Sequence, residues 1–197
     1  MNEISRQLIH LSGLLFVLLA QFMVREVAAG MFFLMAFTFL MYSVYIQRAT
    51  SRWQRLLGSV DKHLRSTLMK FERPGLPFRG AFWFYTGCGL TFLFFPLAIA
   101  TVACLILAIA DAVATVVGHH FGSRKLVGSK TWEGTIAFIL AAAAVTWVLA
   151  PEWILPATIA ATMGELVTEA APRLRRRGLL DDNLLIPLFV ALVLQAI

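Results

Sequence analysis

Charge is scarce in this chain. Only 14% of its 197 residues are Asp, Glu, Lys or Arg, against about 25% in an ordinary soluble domain. No polar stretch long enough for a second core interrupts the apolar runs that recur from residue 8 onward. Cysteine is nearly missing too. Cys88 and Cys104 both lie inside apolar runs, where a disulfide framework or a zinc site would need more ligands and polar flanks, so both read as packing residues. No internal repeat or low-complexity segment stands out; the run Ala141 to Ala144 offers a small face that lets helices approach closely and permits a homodimer. What remains is 59% hydrophobic residues. These proportions exclude a soluble globular protein and predict an all-α, polytopic integral membrane protein with one domain over residues 1–197.

A spanning helix needs ~20 apolar residues, with ~17 as the low end. Seven runs qualify as candidates, approximately 7–24, 27–46, 80–95, 97–118, 134–150, 154–171 and 183–197. The third and seventh are short, and Pro96 and Pro156 are positions where neighbouring helices would kink or divide. The first run is long and preceded by charges of mixed sign, Glu3 and Arg6, so it reads as a span rather than a cleaved leader.

Orientation follows from placing every Lys and Arg, because cytoplasmic connections carry the positive excess. With the N-terminus inside, 16 of the 17 basic residues fall on the cytoplasmic side, leaving only Arg25 outside. The net charge of +6 then reads as attraction to anionic lipid head groups, and nucleic acid is not an expected partner. Within the connection 47–79, Trp53, Leu56, Leu57, Val60, Leu64, Leu68 and Phe71 recur at helical spacing among basic residues, which predicts an amphipathic helix lying in the interface. Pro74 and Pro77 end it.

An ionisable residue inside a span costs at least ~2.5 kcal/mol at mid-helix and usually marks a site. Asp111 lies about seven residues before the cytoplasmic end of the fourth span, roughly 10 Å below the interface. Glu165 and Glu169 are one turn apart on the sixth span and share a face. Asp181, Asp182 and Asn183 open the seventh, and Glu3, Arg6 and His10 can share a face of the first. Four separated segments thus place polar groups at one cytoplasmic depth. A transporter would be expected to centre its polar site near the midplane, so the one-sided cluster suits an enzyme that joins a soluble cytoplasmic substrate to a membrane-embedded one.

The connection 119–133 resembles a phosphate-binding P-loop only superficially. That motif has four residues between its glycines and Gly directly before Lys; here five separate Gly122 from Gly128, and Ser129 intervenes. The chemistry is nevertheless suited to phosphate. Arg124, Lys125 and Lys130 supply positive charge, and Gly134 lies near a helix N-terminus, which favours anions. A triphosphate would bring Mg²⁺ needing one or two carboxylates, with Asp111 first, and Glu165 and Glu169 on the facing helix.

The segments Asp111-Ala112-Val113-Ala114, Gly118-His119-His120-Phe121-Gly122 and Lys130-Thr131-Trp132-Glu133-Gly134 resemble the signature of the CTP-dependent lipid kinases, the family of dolichol or polyprenol kinase, phytol kinase and the yeast-type diacylglycerol kinase. Arg6 to His10, Glu169-Ala170-Ala171-Pro172, and Asp181-Asp182-Asn183-Leu184 with Ile186-Pro187 are similar to it as well. Thr131 stands where the kinases often have Ser, and His119-His120 replaces a more basic pair. Phosphatidate cytidylyltransferase looks alike through the first segments. Its C-terminal signature, a Lys-Asp and a Pro-Gly-His-Gly-Gly run, is replaced here by Asp181 to Pro187.

The resemblance implies transfer of the γ-phosphoryl group of CTP to the hydroxyl of a membrane lipid, polyprenol first and diacylglycerol second. It implies Asp111 on Mg²⁺, with Glu169 or Asp182 as second ligand or general base. Arg124, Lys125, Ser129, Lys130, Thr131, Glu133 and Gly134 would form the nucleotide loop, Asn183 would orient the nucleotide or a carboxylate, and Arg6 and His10 would complete the site. The alternatives are phosphatidate cytidylyltransferase and a lipid-binding membrane protein without catalysis.

Overall fold

The computed structural model describes residues 13–48, 78–176 and 180–197. The expected interfacial helix and the trio Glu3, Arg6 and His10 lie outside the described residues. Residues 13–20 are helical. They are followed by α1 (Arg25–Arg48), α2 (Arg79–Phe94), α3 (Leu97–Phe121), a hairpin of β1 (Lys125–Val127) and β2 (Lys130–Thr131), α4 (Trp132–Leu149), a 3₁₀ turn (Pro151–Trp153), α5 (Ile154–Ala170), a short α6 (Pro172–Arg176) and α7 (Asp182–Ala196).

Among the described residues, three helices are long and apolar enough to cross a membrane: Arg25–Tyr45 within α1, Leu97–Phe121 and Trp132–Leu149. The chain is thus helical and membrane-like. With 16, 17 and 15 residues, α2, α5 and α7 fall at or below the spanning minimum of about 17. One local departure from an all-helical chain is the hairpin, which pairs Lys125 with Thr131 and Val127 with Lys130. Its reversal depends on Gly128, whose φ of 55° lies in the left-handed region that glycine adopts without steric cost.

The third helix is the core. Its apolar residues run all the way round, as expected of a helix enclosed by others, and Ala100, Ala103, Cys104, Ile106, Leu107, Ala108 and Ala110 are wholly buried. Helix α4 packs along α3, while α7 packs against α5, α2 and α3. Aromatic contacts join α1 to α2, with Phe32 stacked on Phe92 at 5.1 Å and Phe39 on Tyr85 at 5.5 Å. The outer surface remains apolar: Phe22, Leu34, Leu140, Trp147, Val148 and Leu155 are largely exposed, an extent of apolar surface that suits contact with lipid.

Close backbone approach fixes α7. A Cβ on Gly164 of α5 would lie 2.9 Å from the Ile186 Cα, and one on Gly87 of α2 would lie 2.5 Å from the Asn183 carbonyl oxygen. Pro187, inside α7, withholds the N–H that would bond that carbonyl. The first turn of α7 is therefore wedged between two helices, and this sets where Asp181, Asp182 and Asn183 stand. Gly164→Ala should cost about 1–3 kcal/mol through overpacking against backbone, read as a lower unfolding temperature in detergent. Gly30→Ala, with nothing within 4 Å of the added carbon, should leave that temperature unchanged or raise it.

Candidate functional site

Three separate helices deliver a carboxylate to one ammonium. The Nζ of Lys130 lies 3.1 Å from Glu165 Oε1 on α5, 3.2 Å from Asp182 Oδ2 at the start of α7, and 3.9 Å from Asp111 Oδ1 on α3. The side chains are withdrawn from solvent, Glu165 wholly and Asp111 nearly so. Buried charges persist only when paired. Burial alone would lower the Lys130 pKa, but Asp182, Asp111 and Glu165 outweigh it and hold the ammonium well above the ordinary lysine range.

Lys130 reaches this position because its hairpin is fastened to α5. Glu169, one turn beyond Glu165, accepts hydrogen bonds from the Ser129 backbone N–H at 3.1 Å and the Ser129 hydroxyl at 2.7 Å. Gly128 permits that fit, since a Cβ there would collide with the Glu169 carboxylate. At the other end of the hairpin, Thr131 caps α4, its Oγ1 accepting from the Gly134 N–H at 3.2 Å. The strand that carries Lys130 is thus held at both neighbours.

The turn into α7 is organised by Asp181, whose Oδ1 accepts from the Asn183 backbone N–H at 3.2 Å and from Asn183 Nδ2 at 2.9 Å. Arg79, opening α2, brings its Nε to 3.8 Å from Asp181 Oδ2. Burial, and then repulsion from Asp182, push the Asp181 carboxyl up to about 7. Asn183 keeps its Oδ1 buried without a hydrogen-bond partner.

The structure therefore brings together Asp111, Glu165, Asp182 and Lys130, with Ser129 and Glu169 alongside and Asn183 one residue on. It does not bring Arg124, Lys125 or Glu133 into the cluster. Lys125 reaches the Ser129 carbonyl at 3.5 Å, while Glu133, in the first turn of α4, accepts from the Ser123 hydroxyl and faces the Arg124 backbone N–H; Arg124 and Lys125 are exposed. Arg6 and His10 lie outside the described residues. Arg79 is a site residue that sequence reasoning missed, and Asp181 had no role there. Arg79 is one of several basic residues between two spans and carried no distinguishing signal, whereas Asp181, directly before a helix, is readable as an N-cap.

Among the described residues, no group of three His, Cys, Asp or Glu side chains stands ready to hold a metal ion; Asp111, Glu165 and Asp182 are arranged about the Lys130 ammonium instead. The donor chemistry nonetheless fits a hard divalent cation, which takes carboxylate oxygens. Both Glu165 oxygens are buried; Oε1 has the Lys130 ammonium at 3.1 Å as its one partner, and Oε2 has no hydrogen-bond partner. Over residues 2–194 the chain matches the family model described as the cytidylyltransferase family. No curated protein and no solved structure matches it.

Two outcomes follow from this geometry. Ser129→Ala, losing a hydrogen bond to a carboxylate worth about 1.5–3 kcal/mol, should speed amide hydrogen exchange at 125–131 while α3 and α4 keep their protection. Native Asp181 keeps its proton up to about pH 7, whereas the unfolded carboxyl loses it near 3.8. Its contribution to stability is complete below about pH 4 and is lost as pH rises towards 7. In chelator, the unfolding temperature of Asp181→Asn should therefore gain on that of the wild type across that interval.

Proposed function

We propose, from the premise that the chain belongs to the cytidylyltransferase family, that it transfers the γ-phosphoryl group of CTP to the hydroxyl of a membrane lipid, with the site facing the cytoplasm. Membership supports CTP chemistry on lipid. The choice of phosphoryl transfer is carried by one observation: Asp182, from the Asp181-Asp182-Asn183 turn that resembles the lipid kinases, meets Lys130 of the nucleotide hairpin at 3.2 Å.

In this reading the acceptor hydroxyl attacks the γ-phosphorus, its proton passes to Asp182, the β,γ-bridging bond breaks, and CDP leaves. Catalysis of this kind is mainly positioning and charge neutralisation. Lys130 faces the β- and γ-phosphates, and Lys125 and Arg124 at the hairpin's exposed side meet the nucleotide as it arrives. Glu169 has both oxygens engaged by Ser129, so its part is to hold the hairpin. Asn183 offers its unsatisfied Oδ1 to a donor on the nucleotide. Asp111 and Glu165 would hold the divalent cation, which when bound neutralises charge on the transferring group. The acceptor is a polyprenol first and diacylglycerol second.

The family description is equally consistent with a second reading, cytidylyl transfer, for which phosphatidate is the acceptor we weigh. Product analysis separates the two. Purified protein in detergent with CTP and a polyprenol or diacylglycerol should release CDP and lipid monophosphate; pyrophosphate released with phosphatidate would establish the other reaction, and neither product would sink both. Asp111→Asn should lower turnover by at least about 100-fold, and near-wild-type turnover would remove Asp111 from the site.

A further inference from the structure

We propose that Lys130 is a built-in counter-ion: in the nucleotide-free protein its ammonium fills the place among Asp111, Glu165 and Asp182 that a divalent cation requires. Cation uptake then waits for a nucleotide whose phosphates draw Lys130 aside. This rests on the CTP reading above and adds an order of binding to it.

The three carboxylates come from three different helices and converge on a single Nζ at 3.1, 3.2 and 3.9 Å. A lysine that served only to neutralise one partner would need one carboxylate. Glu165 is the second indication. It is wholly buried, Oε1 has the Lys130 ammonium as its one partner at 3.1 Å and Oε2 has no hydrogen-bond partner, although a carboxylate selected for a permanent structural pair would be expected to have its remaining lone pairs satisfied. Its position is explained if a cation with several oxygen ligands sits there in another state.

Lys130 is suited to leaving. Its backbone is fixed, since Ser129 is bonded to Glu169 and Thr131 caps α4, but its charge is carried on a flexible four-carbon stem. The side chain can therefore exchange carboxylates for phosphate oxygens without moving the hairpin. An ammonium and a divalent ion cannot share one point, and Mg²⁺ draws its ligands to about 2.1 Å, closer than the oxygens now stand. Linkage then requires that nucleotide and cation each raise the other's affinity by the same factor.

Mn²⁺ serves as the probe, its free concentration followed by electron paramagnetic resonance and the protein-bound ion counted after rapid gel filtration. In the nucleotide-free protein, Lys130→Met should bind Mn²⁺ at least about tenfold more tightly than the wild type; equal affinities in a folded variant would overturn the proposal. Should that variant fail to fold, the wild type decides. Addition of a CTP analogue with a methylene between the β- and γ-phosphorus should raise its Mn²⁺ affinity at least about tenfold. An Mn²⁺ affinity that is the same with and without the analogue, once the analogue is shown to bind, would overturn it. Failure of the analogue to bind at all would instead count against the CTP reading, and the comparison with Lys130→Met would then decide the part played by Lys130.

Discussion

The ammonium of Lys130 among the carboxylates of Asp111, Glu165 and Asp182 is the interaction on which the arrangement of this protein depends. Carboxylates buried together repel one another and lose hydration. Without a cation between them, these groups could remain together only by taking up protons. Lys130 makes their approach tolerable, and the remaining contacts of the hairpin serve to deliver it. Gly128 turns the chain, Glu169 fastens it, and Thr131 passes it into α4.

Packing supplies the complementary half. Charge attraction does not by itself fix where α7 begins, because an ammonium has no strong directional preference. The glycines do. Gly87 and Gly164 let the first turns of α7 touch the backbones of α2 and α5, and with Asp181 as N-cap the next residue, Asp182, is placed against Lys130. Small-residue contact is what brings helices together in lipid, where apolar surface alone provides little drive. Here the same contacts that assemble the helices also align the acidic groups.

The broad plan was legible because it rests on strong local signals. Helix occurs at each of the apolar runs, Asp111, Glu165 and Glu169 stood out as charges in costly positions, and Asp182 as one of the polar residues opening the last run. The hairpin was not legible: its strands span three and two residues, too short for any alternation to show, and only Gly128 hinted at a reversal. Nor could the sequence separate the roles of Glu165 and Glu169. They share a helix face one turn apart, yet one meets Lys130 and the other Ser129, a division set by where the hairpin lands. Arg79 was hidden among neighbouring basic residues whose common explanation is membrane orientation.

Charge at the site divides between its rim and its interior. With a net charge of +6 and three basic residues in the loop, the nucleotide-facing surface reads as positive. Among the described residues, however, the centre contains the carboxylates of Asp111, Glu165 and Asp182 and the carboxyl of Asp181, raised to about 7, beside two cations, of Lys130 and Arg79. Arg124 and Lys125 stand outside it, at the exposed side. On the proposed function, an anionic triphosphate would meet that rim first and find one movable cation inside, Lys130. Its phosphates would settle by drawing that ammonium from the carboxylates, which are then left to a divalent ion. On that reading the basic rim governs arrival, and the Lys130 ammonium governs when the acidic interior is open to a cation.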